Sequence, residues 1–280
     1  MRTVVITGGT GGIGRELARR LLASGDRVVA VGSGAARGAA LRADAARLAA
    51  EDRLDLHQVD LGSVAATRGF AEELRRRYDV VDALVLGAFR YHPGRTETGE
   101  GFERTFALYV LNRFLLPELL REPLARATRP VILNLCGTGG PPAGRIHWDD
   151  LQLRRRYGGL RATMQGARAN DLLGVAFAAR YAHTTIRYVL YNPLFVDTGL
   201  AEPFRQPVRT LVRVMARLFA ARVEQAVPPL LDLLAEPPTR PLTALRRGSP
   251  VDLARPGFDP HSAQRLYGVL GELTAAHLPG

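Results

Sequence analysis

The stretch Val4-Val5-Ile6-Thr7-Gly8-Gly9-Thr10-Gly11-Gly12-Ile13-Gly14 limits what this chain can fold into more than any other. A β-branched apolar run stops at a glycine cluster, and a helical pattern (Leu17, Ala18, Leu21, Leu22) begins at once. That order predicts a strand, a tight turn and a helix N-terminus. Unpaired amides at such a helix start, together with the positive end of its dipole, seat a phosphate. Glycine is required because a Cβ would hold a pyrophosphate away from those amides. Gly8, Gly12 and Gly14 are the fixed glycines, with Thr10 and Ile13 in the same turn. A turn so placed predicts a dinucleotide site.

The chain of 280 residues is 46% hydrophobic, enough to bury a sizeable core. No apolar run reaches membrane-spanning length, and the first strand starts too near Met1 to leave room for a signal peptide. One cysteine, Cys136, excludes an intrachain disulfide, so a cytoplasmic protein is expected. The net charge is +11, and all 38 basic residues are arginine. Those arginines are scattered over several segments without interleaved aromatics, so no nucleic-acid partner is expected. The missing lysine bears on the chemistry below.

A second strand is predicted at 27–31, ending at Gly32-Ser33-Gly34. An acidic residue there would accept from an adenosine ribose hydroxyl and favour NAD. None is present; Ser33 is followed by Arg37, which is able to reach a 2′-phosphate. NADP is therefore the expected cofactor, with NAD, a structural nucleotide or none as the alternatives. Further helices are expected at 35–50, after Ser63 as cap, and at 102–120, 160–181, 223–235 and 262–275. Strands are expected at 54–59, 80–86, 131–135, 186–190 and, as a last edge, 242–245. This alternation implies a single Rossmann-type doubly wound α/β domain over 1–280, with a parallel sheet of about seven strands flanked by helices. The amphipathic stretch 205–221, with Val208, Leu211, Met215 and Phe219 on one face, is read as a substrate lid within an insert at 199–222; a membrane-surface helix and a subunit contact are the alternatives.

These motifs together resemble the short-chain dehydrogenase/reductase family, most closely its retinol-dehydrogenase-like branch, over nearly the whole chain. Besides the glycine turn, Asp82 to Phe89 matches the fourth strand and its turn, Gly101 to Leu116 the long helix, and Gln165, Ala169, Asn170 and Leu172 the helix that carries the family's catalytic pair. The resemblance assigns Asp60 and Leu61 to the adenine, and Gly87, Pro193, Val196 and Thr198 to the nicotinamide side. It also implies pairing of subunits through the long helices, hence a homodimer or homotetramer. No spacing of His, Cys or carboxylates implies a metal.

The family's mechanism uses a tyrosine as general acid/base, four residues before a lysine that lowers its pKa and holds the nicotinamide ribose. Here Thr163 stands at the tyrosine, Ala167 at the lysine, Gly137 at the polarising serine with Cys136 beside it, and Tyr109 at the asparagine of the proton relay. Tyr157 and Arg161 keep the four-residue interval but lie one to two turns early. Thr163 is too weak an acid to serve. Tyr109, Cys136 and Thr163 are the candidate catalytic positions. Tyr91, His92 and a pairing of His147 with Asp149 or Asp150 are secondary possibilities, each set against a plain loop role. Leu86, Phe89, Leu194 and Phe195 predict an apolar pocket that crowds the nicotinamide half. Three functions follow: an atypical NADP-dependent reductase of a small hydrophobic carbonyl or hydroxy compound, a non-redox cyclase, dehydratase or isomerase of secondary metabolism, or a non-catalytic nucleotide binder.

Overall fold

The computed structural model describes residues 1–139, 144–194 and 223–275. The lid stretch 205–221, together with Phe195, Val196 and Thr198, lies outside them. Strands β1 (Thr3–Thr7), β2 (Arg27–Gly32), β3 (Leu54–Gln58), β4 (Ala83–Leu86), β5 (Val131–Leu135), β6 (Arg187–Asn192), β7 (Leu242–Arg246) and β8 (Ser249–Pro250) form one sheet in the order β3-β2-β1-β4-β5-β6-β7-β8. All neighbours pair in parallel except β7 with β8. The strand at 242–245 is therefore not the edge: Arg247 and Gly248, both with positive φ, reverse the chain into the short β8.

Apolar residues face both sides of β1. Val4 and Ile6 pack with Leu17 and Leu21 of α1 (Gly12–Ala23), with Leu41 of α2 (Ala35–Arg47), and with Leu230 from a helix near the end of the chain. Val5 packs on the other side with Phe70 and Leu74 of α3 (Val64–Arg77) and with Leu116 of α4. Helix α4 runs Arg104–Phe106, Ala107–Leu111 and Asn112–Leu119 without a break, its middle wound as a π-helix. Burial on both faces is what a parallel sheet requires. Ser63 caps α3 by accepting from the Ala66 amide at 3.1 Å, and Glu103 caps α4 by accepting from Thr105 and Phe106.

Helix α5 (Gly159–Arg180) follows β5, α6 (Pro228–Ala235) follows β6, and α7 (Pro260–Ala275) closes the chain. Ala263, Leu266 and Leu270 of α7 pack into one apolar cluster with Phe106, Val110 and Phe114 of α4 and with Ala169, Leu172 and Leu173 of α5. The chain's own last helix thus packs against both of the long helices that the resemblance assigns to subunit pairing.

Candidate active site

The glycine turn is packed at the limit of what glycine allows. A Cβ at Gly14 would lie 2.3 Å from the Gly8 carbonyl oxygen, and one at Gly8 would meet the Ala88 backbone at 3.0 Å. Gly8 and Gly12 take φ of 70° and 48°, in the left-handed region. No side chain caps α1, so its first amides stay available to an anion. Thr10 is buried and its hydroxyl sits where a Cβ on Gly32 would be. Thr7 ties the turn to β4, its hydroxyl accepting from the Gly87 and Ala88 amides at 3.0 and 3.1 Å. This is where the strand order reverses, the place at which doubly wound sheets take ligands.

Next to the turn is a cleft of about 230 Å³ whose lining includes Thr10, Gly32, Gly34, Arg42 and His57. Arg37 arches over the turn: its Cδ and Nη1 lie 3.5 Å from a Cβ position on Gly11, and its Nε lies 3.4 Å from one on Gly34. Ser33 is exposed, and Asp60 is exposed with Oδ1 held by the Gly62 amide at 2.9 Å. Leu61, by contrast, is buried in the core. The uncapped helix, the cradle that a Cβ would fill and the overlying guanidinium fit a dinucleotide phosphate.

Of the positions that the resemblance assigns to catalysis, 109, 137 and 167 come together. A Cβ at Gly137 would lie 2.8 Å from the Ala167 Cβ, inside contact distance. The Tyr109 ring presses on α5, since a Cβ at Gly166 would lie 2.4 Å from its Cδ1. The Tyr109 hydroxyl accepts from the Gly137 amide at 3.2 Å. Phe89, partly exposed, packs edge-to-face on this ring with centroids 4.9 Å apart. Burial raises the Tyr109 phenol above its ordinary range, and Arg113 pulls the other way without overcoming it. Thr163 donates its hydroxyl proton to the Gly159 carbonyl of its own helix at 2.9 Å. Cys136 is buried, and burial pushes its thiol up to about 12, so it carries no thiolate near neutrality.

The secondary candidates are engaged elsewhere. The Tyr157 hydroxyl lies 3.1 Å from both the His92 carbonyl oxygen and Glu103 Oε1, and burial pushes it up to about 12. Arg161 donates from Nε to His147 Nε2 at 3.1 Å, which takes both out of the pairings proposed for them. Burial and the Arg161 charge lower the His147 pKa. Asp150 caps its own turn, accepting from the Arg154 and Arg155 amides at 2.7 and 3.0 Å. Leu86 is fully buried in the core and is no pocket wall. Leu194, beside Pro193, takes φ 62°, a left-handed backbone held by its amide donating to Asn192 Oδ1 at 2.9 Å. That geometry explains why a glycine suits this position in the resembled segment. Among the described residues no group of His, Cys and carboxylates is arranged to hold a metal.

Two features escape sequence reading. Asn170 donates to the Tyr109 carbonyl at 2.8 Å, filling the backbone acceptor that the π-helix exposes, and its Oδ1 accepts from Asn134. Arg113, one turn after Tyr109, is fully buried. It looks like one more scattered arginine in the sequence, and only its position among apolar residues of α4 marked it as inward-facing.

The family model for short chain dehydrogenases matches residues 2–146. The chain is 35% identical over 200 residues to the proposed daunorubicin C-13 ketoreductase DnrU of Streptomyces sp. (strain C5), covering 71% of this chain and 67% of that protein. It is 28% identical over 224 residues to retinol dehydrogenase 14 of Mus musculus, covering 74% and 65%. It thus spans about two thirds of these curated relatives. Among solved structures, the Pseudomonas aeruginosa RhlG/NADP active-site complex superposes with a TM-score of 0.66 at 21% identity, over 88% of this chain and 95% of that one. With its glycine turn, its parallel sheet and these matches, the chain belongs to the short-chain dehydrogenase family.

Proposed function

We propose that the chain binds NADP(H) along the glycine turn and Arg37, and reduces a small hydrophobic carbonyl compound, or oxidises the matching alcohol, in secondary metabolism. Bound nicotinamide would supply or accept the hydride. The protein's part is to hold the substrate oxygen and its proton, and Tyr109 is assigned that part in place of Thr163. The carrying observation is the meeting of the Tyr109 hydroxyl with the Gly137 amide, in the space that Ala167 and Gly137 leave too small for other side chains. Phe89, exposed and packed on the Tyr109 ring, supports an apolar substrate. Among the described residues no helix is long and apolar enough to cross a membrane, and a cytoplasmic site of action is part of this reading.

A non-redox reaction, such as a cyclisation, dehydration or isomerisation, is the rival. Ala167 favours it, because no ammonium stands there to hold a nicotinamide ribose. One experiment separates the two. The pure protein is titrated with NADPH and NADP, then given ring ketones and long-chain aldehydes while nicotinamide absorbance is followed. Loss of absorbance in step with product supports reduction. Product formed at constant absorbance contradicts it and favours the rival.

A further inference from the structure

A buried charge normally has a counter-charge, because desolvation is otherwise uncompensated. Arg113 is 1% exposed. Its Nη1 donates to Asn134 Oδ1 and, at 2.7 Å, to the Leu135 carbonyl, while Nη2 donates to the Ala88 carbonyl at 3.0 Å. All three acceptors are neutral, and Nε has no partner among the described residues. The groups that act on the guanidinium electrostatically are Tyr109, Cys136 and Tyr188. Each is an uncharged acid, so the charge of Arg113 faces groups that become anions only on losing a proton.

Of these, Tyr109 is the one whose hydroxyl meets the Gly137 amide, at the position that the resemblance assigns to the polarising serine. The guanidinium carbon lies 4.5 Å from the centroid of its ring. The hydroxyl already accepts from the Gly137 amide, its hydrogen-bond partner among the described residues, which leaves its own proton to be given to a ligand. We propose that Arg113 is a positioning residue whose uncompensated charge stabilises negative charge on the Tyr109 oxygen, so that α4 supplies the phenol and cation that α5 lacks. Cys136 at the end of β5 and Asp171 on α5 oppose ionisation of this phenol, as does its burial, while the Gly137 amide and Arg113 favour it. The phenol therefore stays protonated at rest. In reduction, which rests on the function proposed above, the Tyr109 O–H bond breaks, an O–H bond forms on the substrate oxygen, and the electron pair stays on the oxygen of a ring that the Arg113 guanidinium overlies. The hydride reaching the carbonyl carbon comes from NADPH.

The electrostatic claim is testable without a substrate. Full-length protein carrying difluorotyrosine at position 109, an acidified phenol, is titrated by phenolate absorbance beside its Arg113→Met and Arg113→Gln variants. Arg113→Gln keeps amide donors toward the Ala88 and Leu135 carbonyls but carries no charge. The ionisation constant is expected to fall at least tenfold in both variants. Unchanged titration overturns the proposal, and so does failure of both neutral variants to fold, which would make the role of Arg113 structural only. Dependence on Arg113 together with normal turnover by Tyr109→Phe would leave the pairing standing and sink the reductase reading. Titration indifferent to Arg113 together with loss of turnover in Tyr109→Phe would do the reverse.

Discussion

The Ala167 methyl stands 2.8 Å from where a Cβ on Gly137 would be, so position 137 has no room for a larger side chain as the chain is packed. A serine at 137 overfills it. Neither neighbour is the far end of a flexible side chain, so the backbone of α5 or of the segment after β5 must move. Gly137→Ser is expected to lower stability by about 1–3 kcal/mol, the usual effect of overpacking. Urea unfolding of the variant beside the parent measures this, and equal midpoints would show that the gap opens easily.

In the proposed function, Arg37 is assigned the choice of cofactor. Its side chain lies over Gly11 and Gly34 and meets no acidic partner on the turn after β2. A charge-assisted bond to a 2′-phosphate contributes about 1.5–3 kcal/mol. Arg37→Ala should therefore weaken NADPH binding roughly ten- to a hundredfold while leaving NADH binding nearly unchanged. Paired fluorescence titrations read the ratio. Equal losses for both nucleotides would assign Arg37 to the pyrophosphate or to the surface.

Asp171 makes stability depend on pH. It is buried, with Arg168 Nη1 3.0 Å from Oδ2. Its Oδ1 lacks an aligned hydrogen bond, although the Thr138 hydroxyl is near enough to pull the pKa down. Burial outweighs both partners and pushes the carboxyl up to about 6. An unfolded aspartate titrates near 3.9. The folded state therefore holds the proton more tightly between those values, and stability falls as pH rises through that window. Asp171→Asn, which still accepts from Arg168, should gain about 1–3 kcal/mol at pH 7.5 and little at pH 4. Denaturant melts at the two pH values test the sign, and a variant less stable at pH 7.5 would refute it.

Helix α7 should keep the chain from pairing through α4 and α5, because Ala263, Leu266 and Leu270 already cover that face. Light scattering on the eluting protein is expected to give a mass near that of one chain, 30.5 kDa. Replacing Leu266 and Leu270 by Asp should expose Phe114, Leu172 and Leu173 and lead to association or loss of folding. A stable dimer of the unaltered chain whose contact includes the outer face of α5 would contradict this.

The parallel α/β sheet and the glycine turn were legible because they rest on local rules, although the sheet has eight strands and not about seven. Alternating apolar runs set the sheet, and the glycines at 8, 12 and 14 mark a turn that only glycine can make. The proton-moving end was legible only as a loss: Thr163 and Ala167 stand where other residues are needed, and spacing alone does not say what fills the gap. The π-helix of α4, the pressing of Tyr109 onto Gly166 and the inward turn of Arg113 depend on contacts between residues tens of positions apart. Leu86 shows the limit plainly. A substitution in a turn read as a pocket wall points instead into the core, because a strand's alternation and not its neighbours decides which face a side chain takes.

Tyr109, and not Thr163, is the proposed proton donor beside the proposed nucleotide turn. The most direct test is the rate of NADPH oxidation by Tyr109→Phe with a carbonyl compound that the unaltered chain reduces, measured beside NADPH affinity. A fall in kcat of about 10²–10⁴-fold, the usual loss of general acid help, with NADPH binding unchanged is the predicted result. Near-normal kcat in Tyr109→Phe would contradict the account and leave Tyr109 as packing between α4 and α5.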